Sequence, residues 1–349
     1  MKNANKVSRS FQHMILLCGC LLIYYSVSAR QHKPTESGYI AQKTQGIDSD
    51  YVLIFNSYSE SAPWCRSLVD STVMDLIKLS PQTMTVTQNL NSGLLRDEKA
   101  LAQLRQQVDV SYHDKPRMII YIGSTSWPFL HETIEKKWGK VPSIIFSDID
   151  YTGPIANLLR KTPIAPALRI PYDKIVKEYE GALSVVYMPI YLRQSLALMH
   201  QLTPPMTELC FISDTRWISA QMRADMAAIT KTDFPELKVR YLISADMSTL
   251  DLLDSLQHYG QETGVLFFSW LKQSQVGDSF VNDSHFRIII SKSARQPLFV
   301  LNDNEVNTDS DVLGGYFPTR AAVSHHVRLA LEKTLAGRVR SRRWNPRNR

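Results

Sequence analysis

From Tyr51 onward, short unbroken apolar runs alternate with longer stretches whose apolar residues recur every three or four positions. The runs Tyr51–Phe55, Met84–Thr87, 117–123 (RMIIYIG) and 142–146 (PSIIF) read as strands. The spaced stretches Pro63–Leu79, Leu94–Val108 and Trp127–Trp138 read as helices. Residues 148–180 break the rhythm: they hold four prolines and little periodicity. An amphipathic helix over Pro189–Leu202 restores it. Strands 208–213, 238–243 and 264–270 then alternate with helices 216–231 and 248–259. Strands 297–303 and 312–317 follow, and a helix over 318–336 is closed by Gly337. Continuous apolar strands separated by helices predict parallel sheets covered on both faces, so the fold class is α/β, in two lobes.

The predicted division is residues 1–30, signal peptide or membrane anchor; 31–50, linker; 50–185, first lobe; 186–296, second lobe; 318–337, closing helix; and 338–349, arginine-rich tail. The strands at about 297–317 are expected to return to the first lobe, leaving a cleft between hinged lobes that closes on a ligand.

In open parallel sheets the ligand crevice lies at the carboxyl ends of the strands. Here the strands stay apolar to their last residue and turn polar at once: Tyr51–Phe55 into Asn56-Ser57-Tyr58, MIIYIG into Ser124-Thr125, SIIF into Ser147-Asp148, ELCFI into Ser213-Asp214-Thr215, GVLFF into Ser269-Trp270, and PLFVL into Asn302-Asp303. Hydroxyls and amides orient a small polar ligand and rings stack on it. The candidate ligand-binding residues are Ser57, Tyr58, Trp64, Ser124, Thr125, Asp148, Asp214, Thr215, Trp270 and Asp303. Ser, Thr and Asp at such places also cap helices and make turns, which is the competing explanation for each.

Charge changes the picture only at the ends. The chain of 349 residues carries a formal +7. Residues 338–349 hold six Arg, and residues 1–30 hold Lys2, Lys6, Arg9 and Arg30, with no acid in either segment. Without these the body has 30 basic residues against 33 acidic ones, which argues against a nucleic-acid partner. The basic start followed by apolar residues 14–29 and Val27-Ser28-Ala29 reads as a secretory signal or an anchor slightly short for a full span. Leu17–Cys20 is similar to a lipoprotein box, but the apolar residues after Cys20 argue against lipidation. The expected location is periplasmic, exported or anchored to the inner membrane. Cys65 and Cys210, the cysteines beyond that segment, fall in different lobes and are expected to be free, buried thiols.

Three segments carry a resemblance. "YVLIFNSYSESAPW" resembles the opening strand and loop of the ABC-transporter substrate-binding family, which has the type I periplasmic-binding fold. "YLRQSLALMHQLTPPMTELCFISDT" is similar to that family's hinge helix and following strand, and "VLGGYFPTRAAVSHHVRLALEKTLAGR" to its terminal Gly-Gly strand and closing helix. The resemblance spans 50–337, with a gap at about 150–180. The Asn-Ser-Tyr loop followed by a Trp looks most like the sensor ectodomains of bacterial membrane histidine kinases, including hybrid two-component regulators. The resemblance implies a small-molecule ligand and a membrane kinase as partner. The alternative is a soluble substrate-binding protein with a permease partner, and a homodimer is compatible with either.

Other chemistry has weaker support. Ser324-His325-His326-Val327-Arg328 is similar to a phospho-acceptor box but lacks the following acid and proline, and it falls in the closing helix. Asp148, Asp150 and Asp173 have irregular spacing and no accompanying His, so no metal is expected. Gly123-Ser124-Thr125-Ser126 lacks the further glycines of a nucleotide loop, and no glycine-flanked Ser elbow occurs, so neither a cofactor nor catalysis is expected; an exported α/β enzyme is the least favoured reading.

Overall fold

Strand β1 (Tyr51–Asn56) is buried along its whole length. It lies parallel between β2 (Met84–Asn89) and β3 (Met118–Ile122), and helices cover both faces of the sheet. This is the environment a continuous apolar run requires. The computed structural model describes residues 50–59, 62–203, 206–273, 280–281, 290–302, 306, 311–337 and 342–344. The predicted signal segment and nearly all of the linker lie outside the described residues.

The first sheet continues from β3 through β4 (Ser143–Ser147) to β7 (Leu183–Tyr187) and β15 (Arg342–Trp344), all parallel. One face packs Val52, Ile54, Ile120 and Phe146 against Cys65, Leu68 and Leu76 of helix α1 (Pro63–Leu79) and against Val327 and Leu331 of a late helix. The other face packs Leu53, Phe55, Ile119 and Tyr121 against α2 (Glu98–Ser111) and α3 (Ser126–Trp138). Burying side chains of this size stabilises by roughly 1.5–3 kcal/mol each.

Between β4 and β7 the chain makes an excursion without a sequence rhythm. It forms the two-residue pair β5 (Tyr151–Thr152) and β6 (Ile170–Pro171), the short helix α4 (Ile155–Arg160) and then α5 (Tyr172–Glu178). Strand β7 was not expected from the sequence, because it follows this proline-rich stretch directly.

The second lobe runs α6 (Leu192–Leu202), β8 (Glu208–Ser213), α7 (Trp217–Asp233), β9 (Lys238–Ile243), α8 (Thr249–His258) and β10 (Thr263–Phe267). A small antiparallel pair, β11 (Lys272–Gln273) and β12 (Phe280–Val281), follows. Then β13 (Leu298–Val300) and β14 (Val312–Gly314) complete a sheet of order β14-β13-β10-β8-β9. This corrects the expectation that strands at 297–317 return to the first lobe. They pair along the open edge of β10, whereas the first sheet is already bounded by β2 and β15. The return is made by α9 (Arg320–Leu335), which covers the first sheet. Part of the arginine-rich tail forms β15. It pairs with β7 and so occupies backbone groups that an edge strand would leave unpaired.

Among the described residues, two segments pass between the lobes, 188–191 and 315–319, and they lie side by side. The rings of Tyr191 and Tyr316 meet edge to face at 5.2 Å, and Ser195 Oγ donates to the Tyr316 carbonyl at 3.3 Å. Gly315 is required here, because a Cβ would run into the Val300 carbonyl oxygen.

Candidate functional site

Asn56, the last residue of β1, explains why this strand ends in polar residues. Its Nδ2 donates to Asn89 Oδ1 at 2.7 Å, which ties β1 to β2. Its Oδ1 accepts from the Tyr58 amide at 3.1 Å and from Cys65 Sγ at 2.6 Å. The loop is thereby fixed so that Tyr58 Oη donates to Asp148 Oδ2 at 2.8 Å, just beyond β4. Gly123, beyond β3, makes room for that ring. Its φ is 89°, and a Cβ there would lie 2.8 Å from both Ser57 Oγ and Tyr58 Cε2.

The second lobe presents a matching rim. Asp214, immediately after β8, is fully buried. Its Oδ1 accepts from the Arg216 amide at 2.9 Å and from Ser219 Oγ at 2.6 Å. Its Oδ2 accepts from Arg216 Nε at 2.8 Å and from Ser269 Oγ, beyond β10. Arg216 Nη2 also reaches Ser269 Oγ at 2.8 Å, and Arg223 Nη1 donates to Ser213 Oγ at 2.8 Å. The carboxylate is therefore almost saturated with donors.

The two rims meet at Arg216. Its guanidinium carbon stands 5.6 Å from the centroid of the Tyr58 ring, across from the first lobe. The charges follow from this geometry. Burial pushes the Asp148 carboxyl up to about 6, while the Tyr58 hydrogen bond and Arg216 pull in the opposite direction. Burial also opposes ionisation of Asp214, but Arg216, Ser219 and Ser269 outweigh it and hold this carboxyl below its ordinary value. Burial opposes the charge on Arg216 too, and Asp214, Tyr58 and Asp148 together more than compensate. The Cys65 thiol is pushed up by burial, with Asp148 adding to the effect, so it is a poor nucleophile.

The excursion between β4 and β7 fastens the lobes beside this cluster. Trp217 Nε1 donates to the Thr162 carbonyl at 3.1 Å, and the Ile164 amide donates to Gln221 Oε1 at 2.8 Å. Arg169 Nη2 and Gln221 Nε2 both donate to Asp225 Oδ1, at 2.9 and 3.0 Å. Leu158, Leu159 and Ile164 share one apolar cluster with Trp217, Ile218 and Met222. The stretch where the sequence resemblance lapses is thus a clasp on α7.

Of the predicted residues, the structure brings Tyr58, Asp148 and Asp214 into the cluster. Ser57 is buried on the same loop, and its Oγ has no hydrogen-bond partner among the described residues. Ser124 is buried beyond β3, and Thr125 Oγ1 is hydrogen-bonded to Ser92 Oγ at 2.7 Å at the start of α3. Thr215 is half-buried between Asp214 and Arg216. Trp270 is placed elsewhere. It packs in the second lobe's core with Leu252, Phe267 and Ile290, and its Nε1 donates to Thr249 Oγ1 at 3.2 Å. Trp64 falls in the first turn of α1, and its side chain lies outside the described residues, as does Asp303. Cys65 and Cys210 are free and buried, one in each lobe.

Arg216 and Ser269 were missed as site residues. The available signal was the run Asp214-Thr215-Arg216 directly after a buried strand, where an acid and a base two residues apart can pair locally. Among the described residues, no group of three or more His, Cys, Asp or Glu is placed to hold a metal.

No protein-family model matches the chain, and no curated protein matches it by sequence. Solved structures do match. An ABC sugar transporter subunit from Rhodobacter sphaeroides 2.4.1 superposes with a TM-score of 0.51 at 12% identity, over 84% of this chain and 95% of that one. An ABC transporter solute-binding protein from Agrobacterium vitis, with bound allitol, superposes with a TM-score of 0.53 at 10% identity, over 85% and 93%. The fold is the type I periplasmic-binding fold. At these identities the similarity concerns the fold alone. The periplasmic-binding fold has two α/β lobes, and the Tyr58–Asp148 and Arg216–Asp214 groups sit where its strand ends converge.

Proposed function

We propose that the chain is an extracytoplasmic module that binds a small polar molecule between its lobes without transforming it. The single observation that carries this reading is the cluster joining Tyr58 and Asp148 of one lobe to Arg216, Asp214 and Ser269 of the other. These groups offer acceptors and donors to a ligand, and a ligand that touches both rims favours the closed arrangement by its differential affinity. The N-terminal segment supports export, cleaved or retained as an anchor. Among the described residues no helix is long and apolar enough to cross a membrane.

For the output we favour the sensor-type reading, an ectodomain that reports to a histidine kinase. It is supported by the Asn56-Ser57-Tyr58 loop. Delivery to a permease is the second reading, supported by the two matched structures, both ABC-transporter proteins.

The test is a thermal-shift screen against sugars, sugar alcohols, amino acids and nucleosides. A ligand at a hundred times its dissociation constant stabilises by about 2.7 kcal/mol. The gain should vanish in Tyr58→Phe and Ser269→Ala. A ligand that stabilises both variants as much as the parent binds elsewhere, and the interlobe assignment is then wrong. A kinase reading frame beside the gene favours the sensor, and a permease gene favours transport.

A further inference from the structure

The clasp is a stiff arm with both feet planted in the first lobe. At the feet, Thr152 pairs with Ile170, and the Tyr172 amide donates to the Asp150 carbonyl at 3.0 Å. The side chains of Tyr151 and Tyr172 are buried there, in one cluster with Ile145 and Val185 of the first sheet. Along the arm, Asn157 Nδ2 donates to the Pro163 carbonyl at 3.0 Å, and the Thr162 amide donates to the Asn157 carbonyl at 3.0 Å. Ile164 folds back onto Gly153, where a Cβ would lie 2.8 Å from Ile164 Cδ1.

The far side of the arm is bonded to the second lobe. Helix α7 presents Trp217, Gln221 and Asp225 at steps of four residues, hence along one face. Trp217 holds the Thr162 carbonyl. The other two close a ring of hydrogen bonds with the arm. The Ile164 amide donates to Gln221 Oε1, Gln221 Nε2 and Arg169 Nη2 both donate to Asp225 Oδ1, and Arg169 Nε returns to the Ile164 carbonyl at 3.2 Å. The Arg169 guanidinium also stands 4.4 Å from the centroid of the Tyr151 ring, which ties the ring of bonds to a foot of the arm. Around this ring α7 is buried without a break from Trp217 to Met222. Rotation about the crossings at 188–191 and 315–319 has to break the ring or uproot the arm.

We propose that the clasp is a latch: the ring on Asp225 holds the unliganded lobes shut, and the interlobe site is reached only when α7 lets the arm go. Every bond of the ring shares a partner with the next, so the ring gives way as a unit. The apolar cluster that Leu158, Leu159 and Ile164 share with Trp217 and Met222 parts with it. Only the consequence for ligand access rests on the interlobe binding reading above; the latch itself is a property of the unliganded chain.

The experiment follows amide exchange of the full chain, without ligand, in the parent, Asp225→Ala, Arg169→Met and Asp225→Asn. The first two variants break the ring, whereas Asp225→Asn keeps the accepting oxygen. Asp225→Ala and Arg169→Met should speed exchange at least about tenfold at Ile164, as expected for loss of a hydrogen bond to a charged group. They should speed it also at the Tyr58 and Arg216 amides on the two rims, with β1 unchanged. Asp225→Asn should stay closer to the parent than Asp225→Ala at all three amides. A rise confined to residues 153–170 means that the arm frays while the lobes stay together, and it overturns the proposal, as does no rise at all. A rise that includes β1 in every variant, Asp225→Asn among them, shows a role in general stability alone and also overturns it. If the variants open as expected and the ligand screen above yields nothing, the interlobe binding reading falls and the latch stands.

Discussion

Asp148 is a buried carboxyl at the place where the two rims meet. A carboxyl raised from 3.8 to about 6 favours the protonated form in the folded protein. The sign of the pH effect follows. Its stabilising contribution is fully present below 3.8 and is lost as pH rises through about 6. At pH 8 the buried charge therefore destabilises the unliganded protein by roughly 3 kcal/mol. Asp148→Asn still accepts from Tyr58 but carries no charge. It should melt above the parent at pH 8, with the difference closing near pH 4. Parallel melting curves across this range would show that Asp148 is solvated. Tyr58, Asp148 and Asp214, read as polar strand-end groups, fall in the cluster where the two rims meet. Trp270 was misplaced because the same pattern cannot tell a ring over the crevice from one folded back onto Leu252 and Phe267. Arg216 is a cation paired two residues back with Asp214, a pattern that a strand end rich in hydroxyls and rings does not signal.

Among the elements, strands buried on both faces were readable as unbroken apolar runs: β1, β3, β4, β8 and β10. Strand β7 and the clasp from β5 to β6 were not. The clasp's pieces are too short for periodicity and are held by α7, which is distant in sequence, whereas β7 is held by β4 and β15 and follows the proline-rich stretch. The clasp depends on Gln221, which is fully buried. Replacing it with Ala strips the Ile164 amide of its acceptor, at a cost of about 1–3 kcal/mol. Amide exchange should quicken at Ile164 and its neighbours before it does in β1. Unchanged exchange at Ile164 would mean that the apolar contacts of Leu158 and Leu159 hold the clasp alone. The crossing at Gly315 offers a comparison. Gly315→Ala should destabilise the second lobe by at least 1 kcal/mol in chemical denaturation, because the Val300 carbonyl must move. A variant as stable as the parent would mean that β13 yields without strain.

At the scale of the whole molecule, the first lobe is assembled from both ends of the folded region. Val327 and Leu331 of α9 close the face that holds Val52, Ile54 and Ile120, and β15 completes the sheet beside β7. A ribosome must therefore make about 130 residues of the other lobe before that face can be capped. The emerging chain carries an open greasy sheet until α9 is made. A chain stopped at Thr319 should bind a hydrophobic dye strongly and aggregate, whereas one stopped at Trp344 should not. Soluble, dye-silent material from the shorter chain would mean that α1 alone protects the face. If the chain is exported as proposed, such late completion is useful: machinery that threads unfolded polypeptide meets a fold that cannot lock before α9 has been made.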